Sequence, residues 1–216
     1  MSGGDWAILL SGNVQATARL RAQLAGCRVL AADAGLRHAE PLGLSPEEWI
    51  GDFDSAPAEL MTRRADVPRQ VHPAEKDSTD GELAIARALS EGARRVVLVG
   101  AFGGRADHVL MHMMQLLALA ERGVSALASS GREEAWPLLP GNPLRIDLPE
   151  GALFSVIGLS SLKGLGIGGA RWPLEGAETE LGESRTLSNV VAGSGGVEVS
   201  LAEGRGILLA QLTEGG

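Results

Sequence analysis

Four aspartates stand in two closely spaced pairs, Asp52 and Asp54 in IGDFDS and Asp77 and Asp80 in EKDSTDGE. Residues two apart on a regular strand point to the same face, so Asp52 and Asp54 can converge on one cation. Oxygen-rich sets of this kind suit Mg²⁺, which keeps several waters and is shared with substrate phosphates. A third stretch, GAFGGRADH at 100–108, adds glycines that let a backbone approach a ligand closely. It also adds Arg105, whose planar fork can clamp phosphate oxygens, and Asp107, which can cap a helix or contact a metal or hydroxyl. Carboxylates with Lys76 and Arg105 are suitable tools for phosphoryl-type transfer, which works by positioning and charge neutralisation and needs no covalent nucleophile.

Each motif also has a purely structural explanation. GDFDS is a polar turn by composition, and Thr79 with Glu82 fits a capping box in which Asp80 complements the helix dipole. Capping alone does not require such groups at successive strand-to-helix loops. Neither G-x-x-x-x-G-K-[ST] nor G-x-G-x-x-G occurs, so neither a P-loop nor a dinucleotide fingerprint is supported. His108 and His112 share a helix face but lack the Glu of H-E-x-x-H or a Cys cluster; they read as ordinary helix residues, His108 at the rim of the site.

The elements that carry these residues change character near residue 140. Before about residue 130, apolar runs at 6–12, 27–33, 47–52, 69–73, 94–102 and 124–130 read as strands. Between several of them lie segments with apolar residues at three- and four-residue spacing, best seen in TDGELAIARALSEG and ADHVLMHMMQLLALAERG. Alternating strands and helices imply parallel pairing, with ligands gathered beyond the carboxyl ends of the strands. After about residue 140 the helical period gives way to short apolar stretches punctuated by Gly, Pro, Ser and Asn: PLRIDL, ALFSVIGLS, GARWPL, TLSNVV, GGVEVSLAEG and RGILLAQL. VEVSL at 197–201 alternates as a half-exposed strand would, followed by a Gly-containing turn and a final strand. The expected fold is an α/β N-terminal domain with a mostly parallel sheet and flanking helices over 1–138, then an all-β, sandwich-like C-terminal domain over 139–216. PLLPGNP at 137–143 is the expected linker.

Composition narrows the function classes. The 216 residues carry 19 basic and 27 acidic side chains, a formal charge of −8, which argues against broad nucleic-acid or anionic-membrane binding. Only Lys76 and Lys163 are lysines, the other basic residues being Arg. The single Cys27 removes any intramolecular disulfide or multi-thiolate zinc site. MSGGDWAILLSG has no basic segment before its short apolar run, so a reducing cytoplasm is the expected compartment.

The ordered set AADAG (31–35), GDFDS (51–55), EKDSTDGE (75–82), GGRADH (103–108), GARWPL (169–174) and TLSN (186–189) resembles the thiamine pyrophosphokinase family over most of the chain. The resemblance implies transfer of the terminal pyrophosphoryl group of ATP to the hydroxyethyl oxygen of thiamine, with release of AMP. It also implies a Mg²⁺ requirement and a homodimer with the thiamine site between chains. Carried over residue by residue, the metal set is Asp52, Asp54, Asp77 and Asp80, and Asp54, Asp77, Asp80, Arg105 and Asp107 are catalytic. Asp33, Gly35, Ser55, Lys76, Thr79, Gly104 and Arg105 would bind ATP, and Trp172, Ser188 and Asn189 would bind thiamine. Two departures stand out. Asp33-Ala34-Gly35-Leu36 lacks the family's first Gly and its following Asn, and Glu75-Lys76-Asp77 replaces Asp-Lys-Asp, which leaves Glu75 out of the metal set.

Thiamine is a cation with two aromatic rings, which an indole can receive by stacking or cation–π contact. From the residues alone, Trp172 fits a sandwich core equally well, and Ser188-Asn189 fits a turn. A nonenzymatic nucleotide or thiamine sensor, or another nucleotide-dependent transferase on the same scaffold, are the alternative functions.

Overall fold

The structure, a computed structural model, describes residues 4–53, 58–72 and 77–212. These form two compact units, Met1–His112 with Gly123–Gly131, and Met113–Arg122 with Arg132–Gly216.

The first unit alternates strand and helix. Its strands are β1 (Asp5–Leu9), β2 (Arg28–Ala32), β3 (Glu48–Gly51), β4 (Arg69–Val71), β5 (Arg95–Val99) and β6 (Ser125–Ser129). The helices are α1 (Ala18–Leu24), a 3₁₀ turn (Asp33–His38), α2 (Ala39–Leu42), α3 (Ala58–Arg63), α4 (Asp80–Ser90) and the start of α5 (Ala106–Glu121). Every pairing is parallel, in the order β4-β3-β2-β1-β5-β6. The last four residues of β1, β2, β5 and β6 are all buried, the near-continuous apolar pattern of strands covered on both faces. Thr17 and Thr79 start α1 and α4, their hydroxyls accepting the N–H of Leu20 and of Glu82, both at 3.2 Å.

Strand order reverses at β1: β2 lies on one side of it and β5 on the other. Chains leaving neighbouring strands there turn to opposite faces of the sheet, which opens a crevice at their carboxyl ends. Gly35 seats the 3₁₀ turn against β1 so tightly that a Cβ would lie 2.1 Å from the Leu9 carbonyl oxygen.

The second unit is a sandwich of antiparallel strands. One layer runs β12 (Asn189–Val190), β9 (Leu153–Gly158), β14 (Gly206–Gln211) and β7 (Glu133–Leu138). The other runs β11 (Leu174–Thr179), β10 (Leu162–Gly168), β13 (Val197–Ser200) and β8 (Leu144–Ile146). Their core holds Leu138, Phe154, Val156 and Leu208 from the first layer and Ile146, Leu165, Ile167 and Val199 from the second.

Three strands escaped the sequence reading. β10 is SLKGLGIG-like, and its glycines erase the alternation that a strand normally displays; β11 (LEGAET) carries too few apolar residues. β7 pairs with β14 residue by residue from Glu133↔Gln211 to Leu138↔Gly206, so Pro137 and Leu138 of the expected linker are strand residues. GARWPL, expected as a strand, supplies only an isolated bridge at Ala170 and a bend before β11 begins at Leu174. VEVSL and the final strand, consecutive in sequence, lie in different layers.

Candidate functional site

A concavity of about 700 Å³ lies at the β1/β5 reversal. The loop after β1 contributes Ser11 and Gly12, the end of β2 Asp33, the end of β3 Asp52, the approach to α4 Asp77 to Gly81, and the loop after β5 Gly103 to Arg105. His108 and His112 of α5 complete it. Carboxylates that are 47 residues apart in sequence, from Asp33 to Asp80, thus face one space with Arg105.

Local packing fixes the walls. Asp33 enters its 3₁₀ turn at φ 43°, and the fully buried Trp49 of β3 donates its indole N–H to the Asp33 carbonyl at 2.7 Å. The loop after β1 hangs from its neighbours: Gly12 N–H donates to the Gly100 carbonyl at 2.9 Å and Asn13 N–H to that of Phe102 at 2.7 Å. Arg37 donates to the carbonyls of Ser11 and Gly12, and His38 Nε2–H donates to Gly12 at 3.0 Å. Gly103, at φ 78°, lies where any Cβ would strike the Asn13 side chain at 2.3 Å, so the two loops meet through a glycine.

Electrostatics divide the groups by exposure. Arg105 grips Asp107 through two hydrogen bonds, Nε–H to Oδ1 at 3.1 Å and Nη2–H to Oδ2 at 2.6 Å, and this holds the Asp107 carboxyl below its ordinary range. Asp107 Oδ1 also accepts the His108 N–H at 3.0 Å at the start of α5. Both side chains are exposed, so the guanidinium can exchange this partner for a phosphate. His112 donates from Nδ1 to the Ala101 carbonyl at 3.0 Å, which leaves Nε2 as the acceptor. Burial pushes the pKa of His112 and of His38 down, the neighbouring charge of His108 or Arg37 adds to it, and the carbonyl bond opposes it. Both rings therefore give up their proton more readily than a free imidazole.

Of the residues singled out in the sequence, Asp33, Asp52, Asp77, Thr79, Asp80, Gly104 and Arg105 line this concavity. Gly35 does not; it is buried against β1. Asp107 is not among the lining residues and meets the site through Arg105. Thr79 spends its hydroxyl oxygen as the α4 cap. Asp54, Ser55 and Lys76 lie outside the described residues. Sequence reasoning missed Ser11, Gly12 and His112 as lining residues; the available signal was a Ser-Gly-Asn directly after the first apolar run. Among the described residues no three His, Cys, Asp or Glu side chains meet closely enough to hold a metal ion by themselves. The oxygen donors here suit Mg²⁺, which takes one or two carboxylates together with waters and substrate phosphates rather than an all-protein cage.

In the second unit, Trp172, Ser188 and Asn189 line a concavity of about 670 Å³ with Arg171, Pro173, Leu174, Arg185, Thr186 and Leu187. Trp172 is 54% exposed, which removes it from the sandwich core. The buried Asn189 amide holds its backbone from both sides: Oδ1 accepts the Trp172 N–H at 3.2 Å and Nδ2–H donates to the Trp172 carbonyl at 2.8 Å. The same Oδ1 accepts the Val190 N–H at 2.9 Å. Asn189 is thus a positioning residue for the indole. Ser188 sits at φ 56° with its N–H on Ser155 Oγ at 3.0 Å.

Comparison with known proteins agrees with both units. Residues 24–127 match the family model for the thiamin pyrophosphokinase catalytic domain, and residues 143–205 match that for the thiamin pyrophosphokinase vitamin B1 binding domain. A thiamine pyrophosphokinase of Bacillus subtilis (strain 168) is 31% identical over 166 residues, 75% of this chain and 77% of the relative. Among solved structures, a thiamine pyrophosphokinase from Bacillus subtilis superposes with a TM-score of 0.83 at 24% identity, over 96% of this chain and 99% of that one. A thiamin pyrophosphokinase from Geobacillus thermodenitrificans gives 0.76 at 27% identity, over 96% and 98%. Two successive family models and a relative matched over three quarters of its length lead to one conclusion: the chain belongs to the thiamine pyrophosphokinases, a family of enzymes.

Proposed function

We propose that this chain transfers the pyrophosphoryl group of ATP to the hydroxyethyl oxygen of thiamine, giving thiamine diphosphate and AMP. The observation that carries this reading is the concavity at the β1/β5 reversal, where Asp33, Asp52, Asp77 and Asp80 share one space with Arg105 and two close-packed backbone loops. Loops after β1 and β5 suit a triphosphate, because their glycines allow backbone approach and Arg105 supplies a bidentate cation. Asp52, Asp77 and Asp80, with Asp54, would hold Mg²⁺ on the ATP phosphates, where the ion supplies neutralisation of charge on the transferring group. The protein's own contribution is to orient the phosphates and exclude competing geometries.

Thiamine would stack on Trp172, whose backbone Asn189 holds rigid, with Ser188 beside it. The proposed assembly is a homodimer with the thiamine site between chains. Exposed Trp172 and Leu187, which line one concavity in the second unit, support an apolar surface of that kind. No helix among the described residues is long and apolar enough to cross a membrane.

The test is a product analysis with ATP, thiamine and a divalent cation. AMP and thiamine diphosphate should appear in equal amounts and only with the cation. ADP with thiamine monophosphate would instead make the protein a simple kinase and overturn the reading.

A further inference from the structure

His112 of α5 lines the concavity at the β1/β5 reversal, and its ring is fixed as a proton acceptor. Nδ1 lies 3.0 Å from the Ala101 carbonyl oxygen, which can only accept, so that nitrogen carries the ring proton. Nε2 is left as an accepting nitrogen, and it makes no hydrogen bond with the described residues. Burial, helped by the neighbouring charge of His108, moves the pKa below the ordinary 6.5, so the accepting form prevails at neutral pH. His108, one turn earlier with its ring centroid 6.3 Å away, has no tether of this kind to set its tautomer.

Ionised phosphate oxygens only accept, so an accepting nitrogen has nothing to offer a triphosphate. The reactant group that must lose a proton is the alcohol. The Ala101 tether hangs His112 from the loop after β5, two residues before the Gly103 to Arg105 stretch that lines the same concavity. We infer that His112 Nε2 is the general base that takes the hydroxyethyl proton of thiamine. The inference rests on the reading of this concavity as the ATP site. As the alcohol oxygen bonds to the β-phosphorus of ATP, its proton passes to Nε2. The bond from that phosphorus to the oxygen bridging to the α-phosphorus breaks, its electron pair leaves with AMP, and the imidazolium then releases the proton to solvent. A weak base suffices, because in a loose transition state the attacking oxygen is barely bonded and its proton leaves late. The charged and titratable groups facing the ring have other engagements. His108 stands exposed on the same helix, and Arg105 holds Asp107 until a phosphate replaces it. Asp33, Asp52, Asp77 and Asp80 form the other walls, the last three as the proposed Mg²⁺ ligands.

The experiment follows kcat/KM for thiamine at saturating ATP and Mg²⁺ from about pH 5 to 9, in the full chain and in His112→Asn and His112→Gln. His112→Asn keeps a donor for Ala101, and His112→Gln keeps an accepting oxygen at the end of a longer side chain, yet neither amide takes up a proton. The unaltered protein should lose about tenfold per pH unit on an acid limb that lies under 6.5. Both variants should fall by about a hundredfold or more on the plateau and lose that limb, with ATP KM, Mg²⁺ requirement and melting at pH 8 unchanged. The His112 pKa read by NMR, with Mg²⁺ and a nonhydrolysable ATP analogue bound, should match the limb within about half a unit, a check that needs neither variant to fold. Plateau rates within about threefold of normal in either variant, a limb that survives the substitutions, or an NMR pKa that departs from it overturns the inference and leaves the pyrophosphoryl-transfer reading standing. A raised Mg²⁺ requirement in the variants also overturns it, by placing Nε2 on a metal-bound water. If the unaltered protein forms neither AMP nor thiamine diphosphate at any pH, that reading falls and the inference with it.

Discussion

Truncating Asn189 tests whether the indole platform is built by hydrogen bonds made from below it. The side chain is 5% exposed and makes three backbone hydrogen bonds, two to Trp172 and one to Val190. Each is worth about 1 kcal/mol net, so Asn189→Ala should cost roughly 2 to 3 kcal/mol. For a chain of this size that is a fall of about 4 to 12 °C in the melting of the second unit. Function should respond selectively. Stacking on an indole is worth about 1 to 3 kcal/mol, and loosening the platform forfeits part of it, so thiamine KM should rise about tenfold with ATP KM unchanged. Asn189→Asp sharpens the test, because it keeps both accepting bonds of Oδ1 but sets an anionic oxygen against the Trp172 carbonyl. It should resemble Asn189→Ala at neutral pH and recover as the pH is lowered, when the protonated acid regains a donor. Steady-state kinetics with each substrate varied and thermal melts provide the readout. A melt within about 0.5 kcal/mol of the unaltered protein with normal thiamine KM would refute the clamp; a parallel rise in both KM values would show a general structural role.

Asp52→Asn keeps shape and removes one charge at the concavity, so turnover should fall by about two orders of magnitude or more with little change in melting; near-normal activity at saturating Mg²⁺ removes Asp52 from the site. Trp172→Ala, at a half-exposed position, should cost about 2 kcal/mol or less of stability, well under the roughly 3 to 5 of a core Trp, and impair thiamine use alone. Mixed with inactive Asp52→Asn under verified subunit exchange it should restore partial activity; no recovery would place both residues in one chain's site. Buried His38 and half-buried His112 have folded pKa values below the ordinary 6.5, so the unfolded chain binds more protons between those values. Stability should be full above pH 6.5 and fall as the pH drops below it, and His112→Asn, which keeps a donor for Ala101, should weaken that slope in urea titrations at pH 8 and pH 5.5; an unchanged slope for His38→Gln and His112→Asn together refutes it.

Much of the candidate site was legible because its signals are local. Asp52, Asp77 and Asp80 stand at strand ends or helix starts, where a polar side chain after an apolar run is visible in a few residues of sequence. The loop after β1 was missed because Ser11-Gly12-Asn13 carries no charge; its place in the site comes from Gly100, Phe102, Arg37 and His38, all distant in sequence. Gly35, assigned to ATP by the resemblance, packs against the Leu9 carbonyl, a contact set by where Leu9 lies.

The sequence by itself determined the fold class and the chemical character of the chain. Runs buried on both faces, three- and four-residue helical spacing and the change near residue 140 follow from which side chains water rejects, and that preference is written at short range. Only the tertiary structure decided the order β4-β3-β2-β1-β5-β6, which puts the reversal at β1 and sets Gly12 beside Gly100 and Phe102. It also decided that β13 and β14, neighbours in sequence, lie in different layers, and that Trp172 stands half in solvent on an Asn189 clamp. Strand pairing and exposure are sums over contacts between distant residues, and the closing of those long loops is repaid only when the whole set of contacts forms together.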